Sequence, residues 1–435
     1  MKKILMINHG IIVRSYILFP TLLFAFSVIF HNDTISFVWP FVFIYSIEKV
    51  MPFILDGRLN LSEWSGVMKF SSLVAAISGV LATIGIAFRL EWLTSIGAIG
   101  IGFGVTALKL LIKPNQTASD INLKKINSIA GIFVIVGLIF LALLMMKVSL
   151  TAAFIFYDLL LLLEVAYAYL IVKRDPSPLN LTLSFNWQTS IPVIGVLIIA
   201  LIISFFKKTG KISDLGWILV ILAVLGTILE TRGILGQPFK LFRIWLGAIR
   251  NYLIMYTVLF AFQQNQRVWI FAVFIELMLG GIVAKVISKH THNVKSVVRY
   301  RDGLLFLVLG LLLTYFDPTY LLGTGIATIC VSLLSQWADK QAPDNHNNAD
   351  EKLSVFGSLC NQIILFGTLE IISILKLDNK SALLLPYISH EQALQDTSEM
   401  LYLRIAMIAV FIITGIVVVM FDHRNLEAIK NRLPQ

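Results

Sequence analysis

The chain has 435 residues, 57% hydrophobic and 14% charged, with a mean hydropathy of +0.84. Soluble domains carry about 25% charged residues, so a soluble fold is excluded, and continuous apolar runs without strand-like alternation exclude a membrane β-barrel. The net charge of +10 would suit nucleic acid or anionic lipid, but its distribution by loop assigns most of it to membrane orientation, and no nucleic-acid partner is expected.

A helical crossing takes about 20 apolar residues. The sequence predicts an all-α polytopic membrane protein with spans at 11–31, 36–56, 67–88, 90–113, 126–147 and 150–173. Two more follow at 189–207 and 213–235, then six at 243–263, 267–289, 303–316, 318–336, 353–376 and 401–421. Residues 1–10 carry no small-residue cleavage site and lead into a full-length span, so no cleavable signal is expected. With both termini cytoplasmic, 23 of the 35 Lys and Arg residues fall on the inner side and 8 on the outer, with Arg14, Lys69, Arg250 and Arg404 left within helix ends. The positive-inside rule therefore selects that orientation, in a cytoplasmic membrane.

The loops repeat. In the first six spans polar loops fall at 56–66 and 114–125, and in the last six at 290–302 and 337–352. Gly100, Gly102 and Gly104 open a helix running to Pro114, as Gly323 and Gly325 open one running to Pro343. Small residues at this spacing let helices approach closely. The expected organisation is six plus two plus six: a bundle over 1–173, a linker with two extra spans over 174–238, and a second bundle over 239–435.

The chain resembles the major facilitator superfamily, in particular its fourteen-helix drug:proton antiporter branch, through Ile99-Gly-Ile-Gly-Phe-Gly104, Leu322-Gly-Thr-Gly325 and Gly236-Gln-Pro-Phe-Lys-Leu-Phe-Arg243. The resemblance implies a secondary transporter without a cofactor, and gating loops that include Asp56, Gly57, Arg58, Arg299 and Arg301. Its motifs are degenerate here. Where the family reads Gly-x-Leu-Ala-Asp-Arg-x-Gly-Arg this chain has Asp56-Gly-Arg-Leu-Asn-Leu-Ser-Glu-Trp-Ser-Gly66. No arginine lies between Thr94 and Gly104, and no Gly-Pro pattern between Ala130 and Leu144. Proton-coupled drug export is therefore not inherited with the fold.

An ionisable group at the bilayer centre costs about 2.5–3.5 kcal/mol, which makes mid-span charges functional suspects. Glu164, with Tyr167 on the same helical face, and Glu276, followed by Gly280 and Gly281, are nearest mid-span. Each reads either as a proton site or contact for a cationic substrate group, or as a hydrogen-bonded glutamate locking two helices. Asp158, Glu230 and Glu370 fall nearer predicted helix ends, where a solvated carboxylate is expected, and Glu48 and Lys49 read as an interfacial pair. Arg14 and Arg250 hold equivalent places in the two halves, either to grip an anionic head group or to snorkel to the inner interface. Asn361 and Gln362 interrupt an apolar helix as cavity donors or interhelical glue. Transporter sites commonly lie where repeats meet, and Glu164, Glu276, Arg14, Arg250 and Asn361 are the expected polar contacts there.

The segment from His290 to Arg301 is basic, faces anionic lipid in this topology, and has Asp302 as a candidate ion-pair partner. Two histidines without acid or cysteine partners do not make a metal site, and Cys330 and Cys360 read as small apolar residues. No phosphate-binding Gly-rich loop and no paired external carboxylates point to an ATPase or an enzyme. Two functions remain: a transporter or flippase for an amphipathic, lipid-like or small organic substrate, or a non-transporting derivative that holds a partner protein in an envelope assembly.

Overall fold

The computed structural model describes residues 64–112, 149–173, 239–263, 267–291, 296–341, 349–377 and 398–430, with positions 40, 43, 44 and 47. These residues form helices joined by turns, and there is no strand among them. The predicted spans at 11–31, 126–147, 189–207 and 213–235, and most of 36–56, lie outside the described residues. The chain divides into two compact units, Met1–Ala200 and Leu201–Gln435.

The first unit contains α1 (Trp64–Ala87), α2 (Glu91–Ile112) and α3 (Leu150–Lys173). On α1 the large apolar residues Phe70, Leu73, Ile77, Val80 and Ile84 form one outward stripe, while Ser71, Ala75, Ser78 and Ala82 are buried. That inverts the pattern of a soluble helix and suits lipid outside and small-residue packing inside. The buried stripe meets Gly97, Gly100 and Gly104 of α2. A Cβ on Gly104 would stand 2.5 Å from the Ser71 carbonyl oxygen. Gly102 points the other way, onto Ile44 and Ile47. The α1–α2 hairpin turns at Arg89, whose φ of 58° is the left-handed conformation a glycine more often supplies at a helix end.

The second unit contains α4 (Lys240–Gln263), α5 (Arg267–His290), α6 (Ser296–Leu313), α7 (Tyr320–Gln341), α8 (Ala349–Leu377) and α9 (Ser398–Lys430). A 3-10 turn at Asp317–Thr319 leads into α7. Helix α4 packs on α5, α7, α8 and α9, and so forms the centre of this unit. Its start is pinned by Phe239, a buried aromatic at φ 60°, where a bulky residue is strained. Asp422 holds that strain in place by accepting the Phe239 N–H at 3.3 Å, and Trp337 packs edge-on at 5.2 Å.

Four stretches among the described residues are long and apolar enough to cross a membrane: Met68–Ala87, Glu91–Leu108, Asp317–Ala338 and Leu401–Asp422. The last, at 22 residues, spans about 33 Å.

The boundary before the span predicted at 303–316 is corrected. Residues 290–302 were expected as a loop, with Arg299 and Arg301 as gating residues, yet α6 already begins at Ser296. Hydropathy marks the lipid-embedded part of a helix, whereas its backbone continues into the aqueous interface. Tyr300 anchors the extra turns by stacking on Trp337 with ring centroids 4.4 Å apart.

Candidate functional site

In the second unit, polar side chains collect along one edge of α7. Glu276, on α5, is half-buried, and its Oε2 accepts a hydrogen bond from Thr324 Oγ1 of α7 at 2.6 Å. Gly325 lies beside the carboxylate, where an added Cβ would stand 3.6 Å from the Glu276 carboxyl carbon, an ordinary contact. Gly280, one turn along α5, is where the helices come close: an added Cβ there would stand 2.6 Å from Thr328 Cγ2. One turn before Thr324 is Tyr320. Its hydroxyl lies 2.6 Å from Thr257 Oγ1 of α4, and its ring stacks on Trp269 of α5 with centroids 5.2 Å apart.

At the head of α7 the network ends in a charge pair. Arg404 of α9 is 1% exposed and donates from Nη1 to Asp317 Oδ1 at 2.8 Å and to the Tyr315 carbonyl oxygen at 2.6 Å. Its Nε donates to the Tyr256 hydroxyl at 3.0 Å. The guanidinium also lies over the Tyr256 and Tyr320 rings, 5.5 and 5.3 Å from their centroids. A buried cation thus has a carboxylate, two neutral acceptors and two π faces. Asp317, 57% exposed, is the water-facing member.

Arg404 was expected within a helix end, and the structure instead makes it one of the largest fully buried side chains described. Helix α9 begins at Ser398 and the Asp317 turn folds over Arg404, so position along the helix did not foretell burial. The sequence did carry a signal: Arg404 is the sole basic residue in the run 401–422, and Asp317 begins the one turn between α6 and α7.

Asp158 is a second correction. It was expected to be solvated, but it is 8% exposed, more than two turns into α3. Its Oδ2 accepts from Thr83 Oγ1 of α1 at 2.6 Å, and Oδ1 is buried without a hydrogen-bond partner. Thr83→Val should therefore destabilise the protein by about 1–3 kcal/mol, because it orphans the second oxygen as well. Thermal melts in detergent of Thr83→Val, Asp158→Ala and the double variant should reveal a coupling of about 0.5–3 kcal/mol, and additive effects would contradict the contact.

Asn361 is fully buried and donates from Nδ2 to Asn251 Oδ1 of α4 at 2.8 Å, joining α8 to α4. Gln362 beside it is also buried. Arg250 lies on an exposed part of α4, about 15 Å along the helix axis from Lys240. Arg301 pairs with its neighbour Asp302 at 3.0 Å, and Arg299 is half-buried in the first turns of α6. Glu164 lies on α3 and Glu370 on α8, but their side chains, with that of Tyr167, lie outside the description. Arg14, Glu48, Lys49, Asp56, Gly57, Arg58 and Glu230 also lie outside the described residues. Both cysteines are free thiols.

The structure is similar to a peptide transporter of the POT family in complex with sulfate, with a TM-score of 0.59 and 12% identity over 97% of this chain and 95% of that one. It is similar to a bacterial homologue of the iron transporter ferroportin in an outward-facing state, with a TM-score of 0.55 and 15% identity over 97% of this chain and all of the other. The major facilitator superfamily proton:xylose symporter XylE matches with a TM-score of 0.51 and 12% identity over 97% of this chain and 95% of that one. No protein-family model matches the sequence, and no curated protein matches it at a significant level. The chain therefore has the fold of the major facilitator superfamily transporters.

Proposed function

We propose that the protein is a secondary transporter that moves an amphipathic, lipid-like or small organic substrate across the cytoplasmic membrane by alternating access. The observation that carries this reading is Glu276: a half-buried carboxylate within an apolar helix, tied to the neighbouring helix by one hydroxyl. Such a group has a high energetic cost in lipid, and transporters employ it to bind a proton or a cationic substrate group. The fold supports the same reading, since its neighbours include carriers described for peptides and for xylose. The absence of the antiporter arginine and of the Gly-Pro pattern favours a large amphipathic substrate over a small proton-exchanged drug. The fourteen-span topology with both termini inside, and lipid flipping or efflux as the direction of work, belong to this proposal.

Purified protein in liposomes containing a pH-sensitive dye, offered cationic amphiphiles and fluorescent lipid analogues, tests it. Glu276→Gln keeps the shape and removes the charge, and is expected to lower coupled transport at least tenfold and flatten its pH dependence. Thr324→Val removes one hydrogen bond to a charged group and should cost about tenfold. Transport and pH dependence unchanged in Glu276→Gln would show that Glu276 is not the coupling group. No flux with any substrate class would favour the non-transporting envelope partner instead.

A further inference from the structure

We infer that Arg404 is a positioning residue for Glu276, acting through the first turn of α7, and that the Arg404–Asp317 pair sets whether the Thr324–Glu276 bond is made. The inference rests on Glu276 being the working carboxylate of the proposed transporter. Several interactions converge on the head of α7. Arg404 binds Asp317 and the Tyr315 carbonyl oxygen in the turn before the helix, and lies over the ring of Tyr320, the first residue of α7. Tyr256, which accepts from Arg404 Nε, precedes Thr257 on α4, whose hydroxyl meets the Tyr320 hydroxyl. Tyr320 is thus gripped by α9, by α4, and by Trp269 of α5.

Thr324, which holds Glu276, is four residues further along α7. Residues at this spacing lie on one face of a rigid helix, so a rotation or slide of α7 that displaces Tyr320 also displaces Thr324. A turn of helix is stiff, while an ion pair with one exposed partner can open. The pair therefore provides two states for α7: closed, with Asp317 on Arg404 and Thr324 on Glu276, and open, with the ion pair and the hydrogen bond both broken. Gly325 and Gly280 leave little side-chain bulk between α5 and α7 to resist this movement.

The test reads Glu276 directly and needs no substrate. Reconstituted full-length protein is treated with a hydrophobic carbodiimide, which reacts with carboxyl groups inside membranes, and labelling of Glu276 is measured by mass spectrometry relative to Asp158 in the other unit. Asp317→Asn removes the charge, Arg404→Lys keeps charge but loses the planar fork and stacking, and Thr324→Val breaks the last bond directly. All three should raise the Glu276:Asp158 labelling ratio about five- to tenfold, the weight of one broken hydrogen bond. A general loosening would raise both carboxyls and leave the ratio unchanged. Tyr256→Phe, which removes a single hydroxyl, covers the case in which a charge variant does not fold, and should give an intermediate rise. A wild-type ratio in folded Asp317→Asn, Arg404→Lys and Tyr256→Phe, with Thr324→Val raised, would overturn the positioning role. If the ratio responds as expected while Glu276→Gln transports normally, the positioning stands and the transport role of Glu276 falls.

Discussion

Asp317→Ala is expected to destabilise the protein by about 3 kcal/mol, and to do so more than removing its partner Arg404. The asymmetry comes from where the two charges lie. Arg404 is 1% exposed and Asp317 57% exposed. Without Asp317 the guanidinium stays buried and loses this carboxylate, keeping the Tyr256 hydroxyl and the Tyr315 carbonyl as neutral acceptors, and a buried charge that loses its counter-charge is among the costlier defects a fold can carry. Without Arg404 the carboxylate turns to water. Arg404→Met fills similar volume and leaves two neutral groups to find new partners, a cost of about 1–3 kcal/mol. Thermal unfolding in detergent should therefore rank wild type above Arg404→Met and Arg404→Met above Asp317→Ala. The double variant should be more stable than Asp317→Ala alone. A double variant less stable than Asp317→Ala would show that the packing of Arg404 outweighs its charge.

Gly357→Val is expected to do comparable damage by a different route. Helices α4 and α8 meet backbone to backbone. A Cβ on Gly357 would overlap the Ile244 carbonyl oxygen and stand 2.8 Å from the Ala248 nitrogen, and Gly247 faces the backbone of Ser354 in turn. Main chain cannot swing aside as a side-chain tip can, so the helices must separate. Overpacking of this kind costs about 1–3 kcal/mol or more. Separation would also stretch the buried Asn361–Asn251 hydrogen bond one turn further along α8. The variant should elute as aggregate on size-exclusion chromatography. Gly281→Ala and Gly367→Ala, where an added Cβ meets nothing within 4 Å, should remain monodisperse and melt at or slightly above the wild-type temperature. If Gly357→Val behaves like these two, the close α4–α8 contact is wrong.

Much of this architecture follows from the order of residues alone. Runs of about 20 apolar residues can satisfy their backbone in lipid only as helices, so the apolar body of each described helix was legible: α3 was expected at 150–173 and is found at Leu150–Lys173, while α6 and α9 extend seven and nine residues beyond their expected bounds at 303 and 421. Glycine spacing likewise marked close packing at Gly100, Gly104 and Gly323, since the missing side chain is written in the sequence. Glu276 stood out because a carboxylate in an apolar run is expensive wherever its helix goes.

Which groups meet it was decided only by tertiary structure. A hydrophobic window averages over all faces of a helix, so it could not distinguish a charge at an exposed end from one under a covering turn. Arg404 was placed within a helix end and Asp158 in water for that reason, although one is enclosed by Tyr256, Tyr315 and Asp317 and the other is bound to Thr83. Their partners lie 75 to 148 positions away. No local pattern encodes such a pairing; it exists only when α1 lies on α3, and when α4 and the α6–α7 turn close on α9.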